Sequence, residues 1–458
     1  MGVLWRSAFF VSALILSICT ATLQSPVRRN FIDDMMIFRD TAIGIPDFSA
    51  GVAQQMIMLG YGIMEVMMGQ KKPVTSIDEA LASLASIPDP GNHDIVQTAL
   101  KVLESGLSPG EILRTVNGLT DSHINSLFND NDSEPPKSIY PRKSSWDAPY
   151  EKSEDELRSA IHMPLTFEYG ANGKQPVLLV PGTGSPAGST FYFNYAKLLA
   201  KSSFANPIWV NIPGNSLGDI QTTAEYVAYA MNYVSGVSNN TKIGVISFSQ
   251  GSINVQWALK YWPSTRDVVE DFIPISADFH GTLLELLSAG ISPISTPAIK
   301  QQAYESEIIQ TLRSENGDSA YVPTTSVYSG LDQIVEPQMG LGASAALRDA
   351  QGVGVTNTQV QLACPGKTAG GPYLHETMLV NPVAYALVVD ALTHDGPGEL
   401  SRIDLKSVCD QAVSPGLDLD DLLGTVVATA VLGTVNTLTY GNVSSVEPPL
   451  KEYTHVGG

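Results

Sequence analysis

Ser249 sits where an apolar run stops. Ile243-Gly244-Val245-Ile246-Ser247-Phe248 reads as a buried strand, and Ser249-Gln250-Gly251 turns into a helix-compatible segment from Asn254 to Leu259. A serine at the tip of a sharp strand-to-helix turn holds its hydroxyl beyond the sheet edge, where it can act as a nucleophile. The turn needs small residues two positions before and after the serine. Ser247 and Gly251 meet that need, with Ser247 in a place more often held by glycine. Taken singly, the motif is no more than any strand ending in a small-residue turn. A nucleophilic serine also needs a base, and the base needs an acid to orient it. With seven histidines in 458 residues the search is short. His375, in Pro372-Tyr373-Leu374-His375-Glu376, is the candidate base. Most of the 46 acidic residues are surface charges. Asp332 is singled out because it follows the strand-like run Thr325-Ser326-Val327-Tyr328-Ser329 and lies between Ser249 and His375.

Other elements must hold these residues. Val177-Leu178-Leu179-Val180 reads as a second buried strand, and it runs into Pro181-Gly182-Thr183-Gly184-Ser185. A glycine-rich loop at a strand's carboxyl end lets backbone N–H groups face a developing oxyanion. The second donor would be the N–H of Gln250, the residue after the nucleophile. An ordinary strand-to-helix turn is the plainer reading. A phosphate loop would require Gly-Lys-Ser/Thr, and no lysine follows. The order Ser249, Asp332, His375 is the chain order of α/β-hydrolases.

The chain resembles the fungal lipase B family, the Candida antarctica lipase B type. The likeness rests on Leu178 to Gly184, on Phe248-Ser249-Gln250-Gly251, and on Val322-Pro323-Thr324-Thr325. It continues through Tyr328-Ser329, Asp332 with Ile334-Val335, and the segment from Cys364 to His375, and covers roughly residues 165 to 455. The resemblance implies Ser249 as nucleophile, His375 as general base and acid, and Asp332 as its orienting acid. It implies an oxyanion hole at Thr183 and Gln250, with the Thr183 hydroxyl as a further donor. Asp278 matches a family aspartate on the acyl side of the substrate pocket. Phe248 stands in place of the family's more usual tryptophan, Ser185 in place of threonine, and His280 in place of lysine. These departures bear on substrate size and stereochemical preference, with Phe248 and Ser185 assigned to the pocket. The implied fold is an α/β-hydrolase with a mostly parallel central sheet flanked by helices, here with a helical amino-terminal extension.

Composition narrows the partners. The net charge is −20 and charged residues make up only 16% of the chain, so a nucleic-acid partner, which needs a basic face, is excluded. Attraction to anionic membranes is weakened as well. Arg6, the apolar run Phe9 to Ile18 and the small-residue site Cys19-Thr20-Ala21 read as a signal peptide, which predicts secretion. An uncleaved anchor is the alternative, and Arg28-Arg29 could mark a second cleavage. Once Cys19 is assigned to the leader, Cys364 and Cys409 form the one possible pair, worth about 4 kcal/mol on a chain-entropy estimate. The family resemblance supports this pair. There is no Cys/His cluster with metal-ligand spacing, and no metal or organic cofactor is expected. Asn131, Asn239 and Asn442 head sequons and are glycosylation candidates in the secretory pathway.

The expected organisation is a signal peptide over 1–21, a helical extension and linker over 22–145, and a catalytic domain over 146–458. In the extension, Ser76 precedes a helix as its cap, Ile95 to Leu103 has helical apolar spacing closed by Gly106, and Ser108-Pro109-Gly110-Glu111 starts another helix. The polar stretch from Asn129 to Lys143 reads as a linker. A Met-rich run, Gln55 to Met68, either borders the acyl-binding mouth or is a buried helix of a small subdomain. Leu283 to Ile299 resembles the family's short lid-like helix. The segment from Leu419 to Leu432 falls where the family has an Ala-rich helix at the pocket mouth, but it is richer in Val and Thr, which lowers helix propensity. The expected activity is two-step acyl transfer on carboxylic esters, with glycerides as the favoured substrate. Smaller or secondary-metabolite esters are the alternative, and a non-catalytic binding protein on the same fold is the rival class. Partners reduce to an ester or lipid substrate and transient contact with a lipid interface, with the chain taken as a monomer.

Overall fold

The computed structural model describes residues 52–88, 95–283 and 295–455. The expected signal peptide, Arg28-Arg29 and most of the lid-like excursion after Leu283 lie outside them.

Seven strands form one sheet in the order β1-β3-β2-β4-β5-β6-β7. They are β1 (Ile161–His162), β2 (Gln175–Val180), β3 (Ala205–Val210), β4 (Ile243–Phe248), β5 (Val269–Ile275), β6 (Thr324–Tyr328) and β7 (Val355–Gln359). Only β1 runs antiparallel to its neighbour, β3, and every other pair is parallel. Parallel strands buried on both faces read as continuous apolar runs, which is why β2 and β4 are legible in sequence. Alternate side chains leave the sheet on opposite faces. Val177 and Leu179 join one core, and Leu178 and Val180 the other.

Among the described residues the amino-terminal extension holds helices α1 (Val52–Met67), α2 (Ile77–Ala85), α3 (Ile95–Glu104) and α4 (Gly110–Thr120). Ser76 caps α2 by accepting the Glu79 N–H at 3.2 Å. The Met-rich α1 buries Met56, Leu59, Ile63 and Val66 and leaves Met58 exposed, as is Met68 just past its end. These helices share one hydrophobic core with Val177 and Leu179 of the sheet and with the carboxyl-terminal helices. The stretch from Asn129 to Lys143 holds no regular element.

The other face is covered by α5 (Ile220–Val237) and α6 (Gly251–Tyr261), and the first face by α7 (Pro382–Thr393). The Val- and Thr-rich segment is helical after all. It forms α8 (Leu419–Val426), a π-turn over Val427–Val431 and α9 (Leu432–Thr439). Thr429, Thr434 and Thr437 return their hydroxyls to the carbonyls of Thr425, Ala430 and Gly433, so side chains that would otherwise compete with the helix join it. This run is long and apolar enough to cross a membrane, but most of it is buried inside the fold. Cys364 and Cys409 form a disulfide that closes a 45-residue separation, with Cα atoms 5.3 Å apart.

Candidate active site

The turn after β4 carries Ser249 in the left-handed region, at φ +54°. A non-glycine residue there is strained, and the surroundings must hold it. Its N–H donates to the Ile275 carbonyl at 3.0 Å, which ties the turn to the end of β5. Close approach explains the small neighbours. A β-carbon on Gly251 would lie 2.6 Å from the Val180 carbonyl oxygen. Ser247 is tolerated because its buried hydroxyl pairs with that of Ser252 at 2.8 Å.

His375 is buried, and its Nδ1 lies 2.7 Å from Asp332 Oδ2. The other carboxylate oxygen of Asp332 accepts the N–H groups of Ile334 at 2.9 Å and Val335 at 2.8 Å, so its direction is set by backbone. The His375 ring stands 4.9 Å from that of Phe248, the residue before Ser249, and Ser276 at the end of β5 donates its hydroxyl to the His375 carbonyl at 3.1 Å. Burial alone would depress the imidazole. The charge and hydrogen bond of Asp332, with Glu376 and Asp278 beyond, leave it above its ordinary value.

The glycine-rich loop closes the site from the β2 side. A β-carbon on Gly182 would sit 2.9 Å from Ser249 Cβ, so this loop and the turn are in contact. Among the described residues, neither the Thr183 N–H nor the Gln250 N–H finds an acceptor. The Thr183 hydroxyl lies 2.7 Å from Gln250 Oε1 and 3.2 Å from Gln302 Oε1. Asp278 is buried with both carboxylate oxygens unpartnered among the described residues, and burial pushes it up to about 7. Ser185 is buried, its hydroxyl donating to the Ala428 carbonyl at 2.9 Å.

The structure thus gathers Ser249, Asp332, His375, Thr183, Gln250, Asp278 and Phe248 around one turn. Of the sequons, Asn131 needs correction. It is buried, and its amide nitrogen donates to the carbonyls of Arg158 at 2.7 Å and Ile161 at 2.8 Å, which leaves no place for a glycan. Asn239 and Asn442 are exposed. Three site residues had no sequence signal. Gln302 braces the Thr183 and Gln250 side chains. Gln333 accepts the His375 N–H at 2.9 Å and donates to the buried Glu376 at 2.9 Å. Glu376 adjoins His375 in sequence, but its burial could not be read there. Among the described residues there is no His, Cys, Asp and Glu grouping able to hold a metal ion.

No protein-family model matches the chain. It is 29% identical over 282 residues to lipase B of Pseudozyma antarctica, an alignment covering 61% of this chain and 79% of that protein. The crystal structure of Aspergillus fumigatus lipase B superposes with a TM-score of 0.86 at 44% identity, covering 92% of this chain and 99% of the other.

Proposed function

The chain belongs to the lipase B family of α/β-hydrolases, and from that premise we propose that Ser249, His375 and Asp332 transfer the acyl group of lipid esters. The protein is a carboxylic ester hydrolase. The observation that carries the residue assignment is the 2.7 Å contact between His375 and Asp332 beside a strained serine turn. In the proposed mechanism, His375 takes the Ser249 proton as the hydroxyl oxygen attacks the ester carbonyl. The free N–H groups of Thr183 and Gln250 stabilise the resulting oxyanion. His375 then protonates the leaving alcohol, and water or another alcohol releases the acyl group. Asp332 holds the imidazole in the tautomer with its proton on Nδ1.

Lipid substrates are supported by an exposed apolar rim. Leu331 precedes Asp332, Met339 packs beside Gly330, and Leu362 follows Gln361, whose side chain accepts the Gly330 N–H. Leu341 and Leu283 are exposed as well, and apolar side chains left in water are suited to an oil–water interface. One chain carries the whole triad, so a monomer suffices for this chemistry. Secretion is supported by the apolar leader and by the disulfide, a bond that persists in oxidising compartments. Asn239 and Asn442 would then accept glycans.

Hydrolysis of p-nitrophenyl esters from acetate to palmitate tests the proposal. We expect activity in the wild type, a fall of at least about 10³-fold in folded Ser249→Ala, and a preference for medium or long chains. Equal activity in the variant would remove Ser249 from the mechanism. A profile that peaks at acetate would favour small esters.

A further inference from the structure

The oxyanion loop is held from one side by the carboxyl-terminal helix. Gly184, next to Thr183, has its N–H donated to the Asn215 carbonyl at 2.8 Å. Its own carbonyl accepts Asn436 Nδ2 at 2.6 Å. One residue on, the Ser185 hydroxyl takes the Ala428 carbonyl, which lies in the π-turn. A π-turn displaces the regular i to i−4 ladder and so leaves carbonyls open to outside donors. The helix and loop backbones are close enough that a β-carbon on Gly184, at φ +79°, would lie 2.6 Å from the Gly433 carbonyl oxygen.

A cavity of about 210 Å³ begins where the loop ends, lined by Pro186, Asn211 and by the two residues that bond Gly184, Asn215 and Asn436. Behind the helix, α3 of the amino-terminal extension packs on the π-turn, and the Thr434 hydroxyl reaches the Ile95 carbonyl at 3.4 Å. The helix is therefore clamped between the extension and the loop.

We propose that Asn436 is a positioning residue of the oxyanion hole: its amide holds the Gly184 carbonyl and thereby aims the Thr183 N–H at the reacting oxygen. The proposal rests on the ester-hydrolase reading of the site. An oxyanion donor must sit about 2.7–3.1 Å from the place the charged oxygen will occupy, yet it contributes little to binding the uncharged ester. Loss of Asn436 therefore reduces turnover and spares substrate binding.

The test compares full-length wild type, Ser249→Ala, Asn436→Ala, Asn436→Asp and Thr439→Ala. Asn436→Asp keeps size but replaces the donor with an acceptor. Thr439→Ala perturbs the same helix, removing a hydroxyl that bonds the Val435 and Asn436 carbonyls and leaving the Asn436 amide in place. Steady-state kinetics on p-nitrophenyl butyrate are paired with inhibition by an alkyl boronic acid, whose tetrahedral adduct on the serine places an oxygen in the hole. Melting temperatures check folding. We expect kcat in both Asn436 variants to fall roughly 10- to 100-fold, KM to change less than about twofold, and boronate affinity to weaken in step with kcat. Thr439→Ala keeps the wild-type kcat. Unchanged kcat in Asn436→Asp overturns the proposal, as does a rise in KM alone or an equal loss in Thr439→Ala. A wild type no more active than Ser249→Ala overturns the ester-hydrolase reading itself.

Discussion

Three carboxyl groups surround one imidazole. Asp332 bonds His375 directly, Glu376 is linked to its backbone through Gln333, and Asp278 is buried close by. In the proposed mechanism His375 must be neutral to accept the serine proton, and its surroundings hold it above the ordinary 6.5. The acid limb of a kcat/KM profile should therefore have its midpoint above 6.5, and a lower midpoint would contradict this electrostatic account. Asp278 behaves in the opposite sense for stability. The folded protein holds its carboxyl protonated up to about 7, whereas the unfolded chain ionises near 3.8. Its contribution to stability is full below 3.8, declines across that window, and is flat above about 7. Asp278→Asn removes the penalty of ionisation. We expect its melting temperature to match wild type at pH 4 and to exceed it at pH 8, a gain on the order of 2–4 kcal/mol.

At the scale of elements, the Ser249 turn and the helix that follows depend on close backbone contact. Gly251→Ala would drive a methyl group to 2.6 Å from the Val180 carbonyl oxygen, and neither strand nor helix can retreat without moving Ser249. The expected result is a loss of about 2–4 kcal/mol in denaturant unfolding together with a fall in kcat/KM. A variant with wild-type stability and rate would show that the turn has slack. The carboxyl-terminal helix teaches a different lesson. Its Val and Thr content argues against helix on propensity alone, yet helix forms because burial outweighs a few tenths of a kcal/mol per residue.

Across the whole molecule, the extension and the hydrolase sheet share a core. Leu59, Ile63, Leu103 and Leu113 of the extension are fully buried in the same cluster as Val427, Val431 and Val435. Deleting residues 52–120 would expose that surface at about 25 cal/mol per Å² of apolar area. We expect the truncated chain to aggregate or unfold, and a soluble truncate with wild-type melting behaviour in calorimetry would refute this.

Much of the site was legible because its chemistry restricts residue types locally. A serine flanked by small residues after an apolar strand, a glycine-rich loop after another, and a histidine placed after a loop aspartate all leave traces in linear order. Buried parallel strands leave equally plain apolar runs. What tertiary structure decided was whatever depends on a partner distant in the chain. Burial turned Glu376 and Asp278 from ordinary acids into groups held above their usual range. Packing turned Asn131 from a sequon into an internal hydrogen-bond donor. It also brought Asn436 to Gly184, 252 residues away in sequence. A hydrogen bond between such distant residues has no local spacing rule, so only the folded chain could assign it.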